Sequence, residues 1–184
     1  MRYPPAETAE KRERILVEGA RQFRERGFSG VSVNDVMHAA GLTHGPFYNH
    51  FPSKEALMAG CIDHASAKAL ADLDETGTES ADWKGYVEYY LSPEHRENAG
   101  QGCLIAALGS EIARQPGVTA SLTRHVKSTV EKMAGHFPWG KKRDARAKSI
   151  RALSGMVGAM ILARAVDDPA LSEEILATVR SSLA

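Results

Sequence analysis

An all-α fold is the class that this sequence of 184 residues predicts, with a three-helix unit first, one long connecting helix next and a larger helical unit last. Two observations lead to this prediction. No stretch alternates apolar and polar residues as a half-buried strand would, and apolar residues recur instead at three- and four-residue spacing. Turn signals are also spaced for helices. A hydrophobic fraction of 43% is ordinary for a globular domain with a sizeable core.

Residues 33–51 predict a helix-turn-helix. An apolar stripe begins at Val33 and continues at the spacing of one helix face. Ser32, followed three residues later by Asp35, predicts a capped helix start. Gly41 stands where the chain must leave the helix, and a left-handed backbone costs glycine little. In such motifs the second helix presents its N-terminal end to the DNA major groove.

The second helix of the motif has an apolar side and a polar side. Phe47 and Phe51 are four residues apart, so both are expected to point inward. Thr43 is expected to cap this helix, and Pro46 is tolerable in its first turn. Asn49 has the donor and acceptor pair that matches an adenine edge. The residues left for the outer face are Thr43, His44, Gly45, Pro46, Asn49 and His50.

With its flanks, this stretch resembles the DNA-binding signature of the TetR/AcrR family of bacterial transcriptional regulators. The likeness runs from about residue 8 to residue 57, at Val36, Ala40, Gly41, Leu42, Thr43, Gly45, Tyr48, Phe51, Ser53, Lys54 and Leu57. The resemblance implies that Tyr48 and Lys54 bind DNA phosphates, and Ser32 is included among the predicted DNA contacts. His44 and Pro46 depart from the residues usual in the family, so the resemblance does not carry over the operator sequence.

The remaining helices follow from apolar spacing and turn residues. The first is predicted over residues 8–26, after an arm at residues 1–7, and the basic side chains on its polar face are expected to be solvated. The fourth, at residues 53–73, would be a rod of about 30 Å. The others are predicted at 82–91, 103–114, 116–137, 141–166 and 169–179. Residues 1–52 are predicted to form the helix-turn-helix domain, and residues 53–184 the helical domain for effector binding and dimerisation.

The resemblance also implies an effector pocket among the helices of the second domain. Both tryptophans of the chain lie there. The polar groups expected in the pocket are tyrosine hydroxyls, Cys103 and His125 or His136. Ordinary core packing explains each residue singly, and Cys103 is either an inert thiol or a redox or electrophile sensor. The predicted ligand-binding residues are Trp83, Tyr86, Tyr90, Cys103, Phe137, Trp139, Met156 and Met160.

A dimer interface is predicted from the last two helices. Small residues, among them Gly155 and Gly158, are interspersed with branched apolar residues, so that two helices can approach closely. Two such helices from each subunit would form a four-helix bundle about a two-fold axis. The alternative is that both helices pack entirely within one protomer. The predicted interface residues are Ile150, Leu153, Val157, Ile161, Leu171, Ile175, Leu176 and Val179.

Several other classes of protein are disfavoured. The sequence has no nucleophile elbow, phosphate loop or helpful pair of carboxylates, so no enzyme and no cofactor is predicted. His38, His44 and His50 are in no metal-binding spacing, so no metal site is predicted. The apolar run at residues 152–163 is too short to cross a membrane. Cys61 and Cys103, together with the lack of a visible signal peptide, indicate a cytoplasmic protein.

The function predicted is a ligand-responsive DNA-binding transcriptional regulator. It would be a homodimeric repressor that binds a near-palindromic operator in double-stranded DNA and is released by a small-molecule effector. The formal net charge is zero, so this prediction depends on motif geometry and not on bulk charge. The alternative is a helical protein-interaction module or small-molecule carrier that does not bind DNA.

Overall fold

The computed structural model describes residues 5–75 and 82–183, and in those ranges the chain is all-helical, as predicted. The helices are α1 (Pro5–Arg26), α2 (Val33–Ala39), α3 (Phe47–His50), α4 (Lys54–Glu75), α5 (Trp83–Tyr90), α6 (Pro93–Glu97), α7 (Leu104–Ile112), α8 (Pro116–His136), α9 (Lys142–Ala165) and α10 (Pro169–Leu183).

Two boundaries differ from the predictions near the chain ends. Helix α1 begins at Pro5, three residues before the predicted start, so part of the expected arm is helical and its first four residues lie outside the described ranges. Proline is well suited to the first turn of a helix because its missing N–H has no partner to lose there. Helix α10 runs to Leu183 instead of ending at residue 179.

The start of α2 and the turn after it form as the sequence predicts, and a glycine of similar conformation follows α1. The Ser32 hydroxyl accepts a hydrogen bond from the Asp35 amide at 3.1 Å, and the Asp35 carboxylate accepts one from the Ser32 amide at 2.8 Å. This reciprocal pair is a capping box. Gly27 and Gly41 have φ angles of 72° and 71°, a left-handed conformation that an L side chain rarely adopts.

The first hydrophobic core joins the helix-turn-helix to the rest of the chain. Phe23, Val36 and Phe47 are buried in it beside residues of α4. Leu108 of α7 and Val118 of α8 are buried in the same core. Packing is therefore continuous across the predicted division between residues 1–52 and 53–184, and that division stays a prediction.

Helix α4 is a long element that touches both parts of the molecule. It has 22 residues, or about 33 Å at 1.5 Å per residue. The Ser53 hydroxyl accepts a hydrogen bond from the Ala56 amide at 3.1 Å, which caps its start. The helix packs against α1 on one side and α8 on the other. It therefore joins α1 to the C-terminal part of the molecule.

A second core fills the C-terminal part of the molecule, between α5, α8, α9 and α10. Met133, Met156, Met160 and Leu176 are fully buried there. Helix α6 lies beside this core in a segment that the sequence predicts as a loop. Ser92 caps it and Pro93 occupies its first turn. Five residues are too few to show a helical apolar period, so no apolar stripe predicts this helix.

Candidate DNA-binding surface and effector cavity

The helix that would enter DNA is a single turn, Phe47–His50. The Phe47 amide donates to the His44 carbonyl at 3.0 Å, so a tight turn precedes the helix. Pro46 occupies the N-cap position, and no side chain caps the helix. The expectation that Thr43 caps it, with Pro46 in its first turn, is therefore wrong. The turn moves the helix start to Phe47, beyond the reach of the Thr43 hydroxyl.

The two phenylalanines of this helix separate a buried side from an exposed side. Phe47 and Phe51 are buried in the first core, and their rings lie 6.0 Å apart. Tyr48 points the other way and is 69% exposed. The His44 ring lies edge-to-face with Tyr48, with centroids 6.4 Å apart. The His44 and Tyr48 rings therefore form an exposed aromatic surface beside the polar residues of the outer face. The other predicted outer residues that are exposed are Thr43, His44, Gly45 and Asn49.

His50 and Pro46 are half-buried, so they form the edge of this surface and not its centre. Burial, followed by the charges of Arg12 and Lys11, lowers the pKa of the His50 imidazole. Its Nδ1 atom is buried without a hydrogen-bond partner. A neutral imidazole binds phosphate only weakly. The positive charges near this edge are therefore those of Arg12 and Lys11.

Arg12 and Arg14 on α1 are basic groups that the sequence assigned only to a solvated face. Both are exposed. The Arg12 guanidinium lies 4.9 Å from the centre of the Phe51 ring, directly behind the recognition turn. The Arg14 guanidinium approaches Gly41 at the turn of the motif. Helical spacing predicted the polar face correctly, but only the packing of α1 against α2 and α3 places these charges beside the motif.

Ser32 and Lys54, which are predicted DNA contacts, also have structural roles. The Ser32 hydroxyl is used in the capping box. The Lys54 ammonium donates to the Phe28 carbonyl at 2.7 Å and so joins the start of α4 to the turn after α1. An ammonium has three donors, so two remain for another acceptor.

A cavity of about 140 Å³ lies in the C-terminal part, between α4, α5, α7, α8 and α9. Three of the predicted ligand-binding residues line it: Tyr86, Tyr90 and Cys103. The sequence did not predict Thr129 or His95 in its wall. His125, considered only as a possible polar group, also lines it. Which residues line the cavity depends on how five helices pack together, and no local sequence pattern encodes that packing.

Five of the predicted ligand-binding residues do not line this cavity, because they pack elsewhere. Trp83, Phe137 and Trp139 form an aromatic cluster, in which the Trp83 ring lies 4.7 Å from Trp139 and 5.0 Å from Phe137. Met156 and Met160 are fully buried in the second core. Their apolar character is explained by packing.

His95 connects the cavity wall to the loop before α7. Its Nε2 atom accepts a hydrogen bond from the Cys103 amide at 3.0 Å, so the ring proton is on Nδ1, which donates to the Tyr90 carbonyl at 2.7 Å. Burial is the main cause that lowers the pKa of His95, and the Arg164 charge adds to it. The neutral ring therefore fixes one end of the loop at residues 98–103.

The same loop contacts the helix-turn-helix part. The Arg24 side chain of α1 donates to the Gly100 carbonyl at 2.8 Å. The Glu111 carboxylate of α7 accepts a hydrogen bond from the Phe28 amide at 2.8 Å, just after α1 ends. Two polar links therefore join α1 and the turn after it to the loop at residues 98–103 and to α7.

The predicted dimer residues lie on α9 and α10 with different exposures. Ile150, Ile161 and Leu171 are 42–44% exposed, and Leu162, which was not predicted, is 55% exposed. Val157, Ile175 and Val179 are half-buried. Leu153 and Leu176 are buried within the protomer, Leu153 in the wall of the cavity and Leu176 in the second core. They support this surface from inside and do not form it.

In the part of the chain that the structure describes, no group of three or more histidine, cysteine, aspartate or glutamate residues is placed to hold a metal ion. Within the same ranges, none of the helices is long and apolar enough to cross a membrane.

A short exposed helix braced by two others, followed by a larger helical body, defines the helix-turn-helix class of DNA-binding transcriptional regulators. The family model described as "Bacterial regulatory proteins, tetR family" matches residues 15–61. The chain belongs to this family, whose members regulate transcription and are not enzymes.

Named relatives and a solved structure agree with this assignment. The chain is 33% identical over 140 residues to the HTH-type transcriptional regulator UidR of Escherichia coli K12, over 74% of this chain and 67% of UidR. It is 31% identical over 107 residues to the HTH-type transcriptional repressor DhaR of Mycobacterium sp. strain GP1, and that match spans 55% of this chain and 52% of DhaR. A TetR-family regulator from Agrobacterium tumefaciens has the same fold, with a TM-score of 0.78 at 22% identity over 96% of this chain and 99% of that one.

Proposed function

We propose that the protein is a homodimeric repressor that binds a near-palindromic operator in the bacterial cytoplasm and is released by a small molecule. The observation that carries this proposal is the recognition turn, where Phe47 is fully buried while Tyr48 and Asn49 are exposed. A helix-turn-helix positions its base-reading side chains in this way. The repressor sense is supported by DhaR, which is named a transcriptional repressor.

The exposed surface divides into groups that would position DNA and groups that would read it. Asn49 matches the donor and acceptor pattern of an adenine edge, and Thr43 can contact a thymine methyl group or a base edge. Tyr48 would donate its hydroxyl to a phosphate, with Arg12 and Arg14 adding positive charge at the flank. Gly45 would let the backbone come close to DNA, since a Cβ there meets nothing within 4 Å.

The experiment is a titration of the full-length protein against labelled promoter fragments from its own gene neighbourhood, at several salt concentrations. Asn49→Ala and His44→Ala are expected to cost about 1–3 kcal/mol of specific binding and to change base preference. Tyr48→Phe, which removes one hydroxyl, should weaken binding about equally for all sequences. Lys127→Ala, an exposed change on α8, is the matched control and should have no effect. Salt-insensitive binding, or none to any neighbouring promoter, would refute the proposal.

Dimerisation would use the exposed surface of α9 and α10. Ile161 and Leu162 are 43% and 55% exposed on α9. A Cβ at Gly158 meets nothing within 4 Å, so a second helix has room to approach the backbone there. A two-fold axis through this surface would place two recognition turns in successive major grooves, about 34 Å apart.

Effector release would act through the loop at residues 98–103. His95 and Cys103 belong to the cavity wall, while the Gly100 carbonyl accepts the hydrogen bond from Arg24 of α1. A ligand that moves the wall would therefore change the position of α1. It weakens DNA binding only by its difference in affinity for the two conformations, and DNA must weaken ligand binding by the same factor.

A further inference from the structure

We infer that the cavity binds an uncharged molecule the size of a single six-membered ring that carries a hydroxyl or carbonyl group. The inference rests on the proposed regulatory function, because it names the chemical class of effector that the same cavity takes. Three features of the cavity lead separately to this class of ligand. They are its volume, the charge of its wall and two buried hydroxyl groups that lack a strong partner.

The size of the cavity limits the ligand. A volume of about 140 Å³ is close to that of apolar protein cavities of about 150 Å³ that hold one benzene molecule. The wall favours a flat ring, since α5 supplies Tyr86, Tyr89 and Tyr90, with Leu73 and Leu153 from α4 and α9.

The charge of the wall argues against an ionic ligand. Among the described lining residues, Asp72 is the one carboxylate, and it is exposed and paired with Lys68 at 3.2 Å. Burial lowers the pKa of both His95 and His125, so both rings are neutral near neutral pH. An anion would lose its hydration without gaining a counter-ion, which is unfavourable.

Arg164 is the group that would favour an anion instead. It lies near Tyr90, but it is not part of the cavity wall. Two of its nitrogens donate to the carbonyls of His95 and Arg96, at 2.7 and 2.8 Å. Its Nη1 atom is buried without a partner. An anionic probe therefore belongs in the test.

Two buried hydroxyls in the wall lack a strong hydrogen-bond partner. They are those of Tyr90 and Thr129, which are 6% and 8% exposed. Thr123 on the same helix bonds the Thr119 carbonyl at 2.9 Å, whereas Thr129 makes no such bond. The Cys103 thiol beside Tyr90 is only a weak partner. Because each hydroxyl both donates and accepts, a ligand hydroxyl or carbonyl satisfies them.

The experiment measures binding of three probes of similar shape to the full-length protein by calorimetry, at neutral pH and without DNA. The probes are p-cresol, toluene and benzoate. The expected order is p-cresol over toluene by roughly three- to tenfold, the effect of one or two hydrogen bonds, with no binding of benzoate.

Two variants test the role of the hydroxyls. Tyr90→Phe and Thr129→Val remove them with little change in shape, and because neither hydroxyl has a strong partner, both proteins should fold about as stably as the original. Each should reduce the preference for p-cresol over toluene. Thr123→Val is the matched control, since Thr123 lies on the same helix as Thr129 but outside the cavity wall, and it should keep the full preference.

Equal binding of p-cresol and toluene, an unchanged preference in both variants, tighter binding of benzoate, or no binding of any probe would each overturn the inference. DNA binding is measured in a separate titration. A protein that binds its promoter but none of the probes would refute the inferred ligand class and leave the regulator intact. A protein that binds p-cresol as expected but no promoter would support the cavity and refute the proposed function.

Discussion

Gly41 and Gly45 lie in the same turn region, but the chain needs them for different reasons. Gly41 has a φ of 71°, whereas Gly45 is not among the glycines with positive φ. Gly41→Ala should destabilise the protein by about 1–2 kcal/mol, because the left-handed conformation strains an L residue. Gly45→Ala should change stability by less than about 0.5 kcal/mol. Urea denaturation measures both.

The same pair separates folding from DNA binding. If the backbone at Gly45 approaches DNA, Gly45→Ala should weaken promoter binding while the free energy of unfolding stays unchanged. If Gly41→Ala and Gly45→Ala lost equal stability, the left-handed backbone of Gly41 would not be the cause of the loss.

His95 should make stability depend on pH. Its folded-state pKa lies below the ordinary value of 6.5, so the unfolded chain binds more protons between those two values. The contribution is present above about pH 6.5 and is lost as pH falls through the folded pKa. His95→Gln keeps an acceptor for the Cys103 amide but does not titrate.

Unfolding by urea at about pH 7.5 and about pH 5.5 tests this dependence. The variant should lose less free energy of unfolding on acidification than the original protein. His50 and His125, whose pKa values burial also lowers, remain in both proteins and provide the common background. Parallel profiles would show that His95 is not the titrating group.

Helix α7 is linked to the end of α1 by one side chain. The Glu111 carboxylate accepts a hydrogen bond from the Phe28 amide, and it fills the space where a side chain at Gly27 would stand. Glu111→Ala should cost about 1–2 kcal/mol, because it leaves that amide unpaired. Glu111→Gln is the matched control, since its oxygen can still accept, and it should cost less.

Hydrogen exchange gives a local measurement of this link. Exchange of the Phe28 amide should be faster in Glu111→Ala than in Glu111→Gln. Equal exchange in both variants would mean that the hydrogen bond does not hold the end of α1 against α7.

The whole molecule is expected to be a dimer through α9 and α10. Ile161→Asp places a charge on this surface, where Ile161 is 43% exposed. It should convert a particle of twice 19.9 kDa into one of 19.9 kDa and abolish operator binding, because two recognition turns are then no longer joined. Light scattering after gel filtration measures the mass.

Val17→Asp is the matched control for the dimer. Val17 is 42% exposed like Ile161, but it lies on α1. That variant should keep the mass of the original protein. If the Ile161→Asp variant stays dimeric, the interface lies elsewhere. If the original protein is monomeric, this interface does not exist.

At the scale of the whole molecule, the sequence was most informative where a side chain or backbone acts locally. The capping box of Ser32 and Asp35 and the left-handed Gly41 depend on residues within a few positions of one another. The inward direction of Phe47 and Phe51 follows from helical spacing alone. The all-helical class and nearly every long helix were predictable for the same reason.

Only the tertiary structure decided which distant residues meet. The sequence grouped Trp83 and Met156 with the cavity because they are large and apolar, but packing puts both elsewhere. It could not place Thr129 in the cavity wall, nor Arg24 against the Gly100 carbonyl. Helical periodicity determines which face of a helix is buried, whereas the neighbour it is buried against depends on how all the helices fill space together.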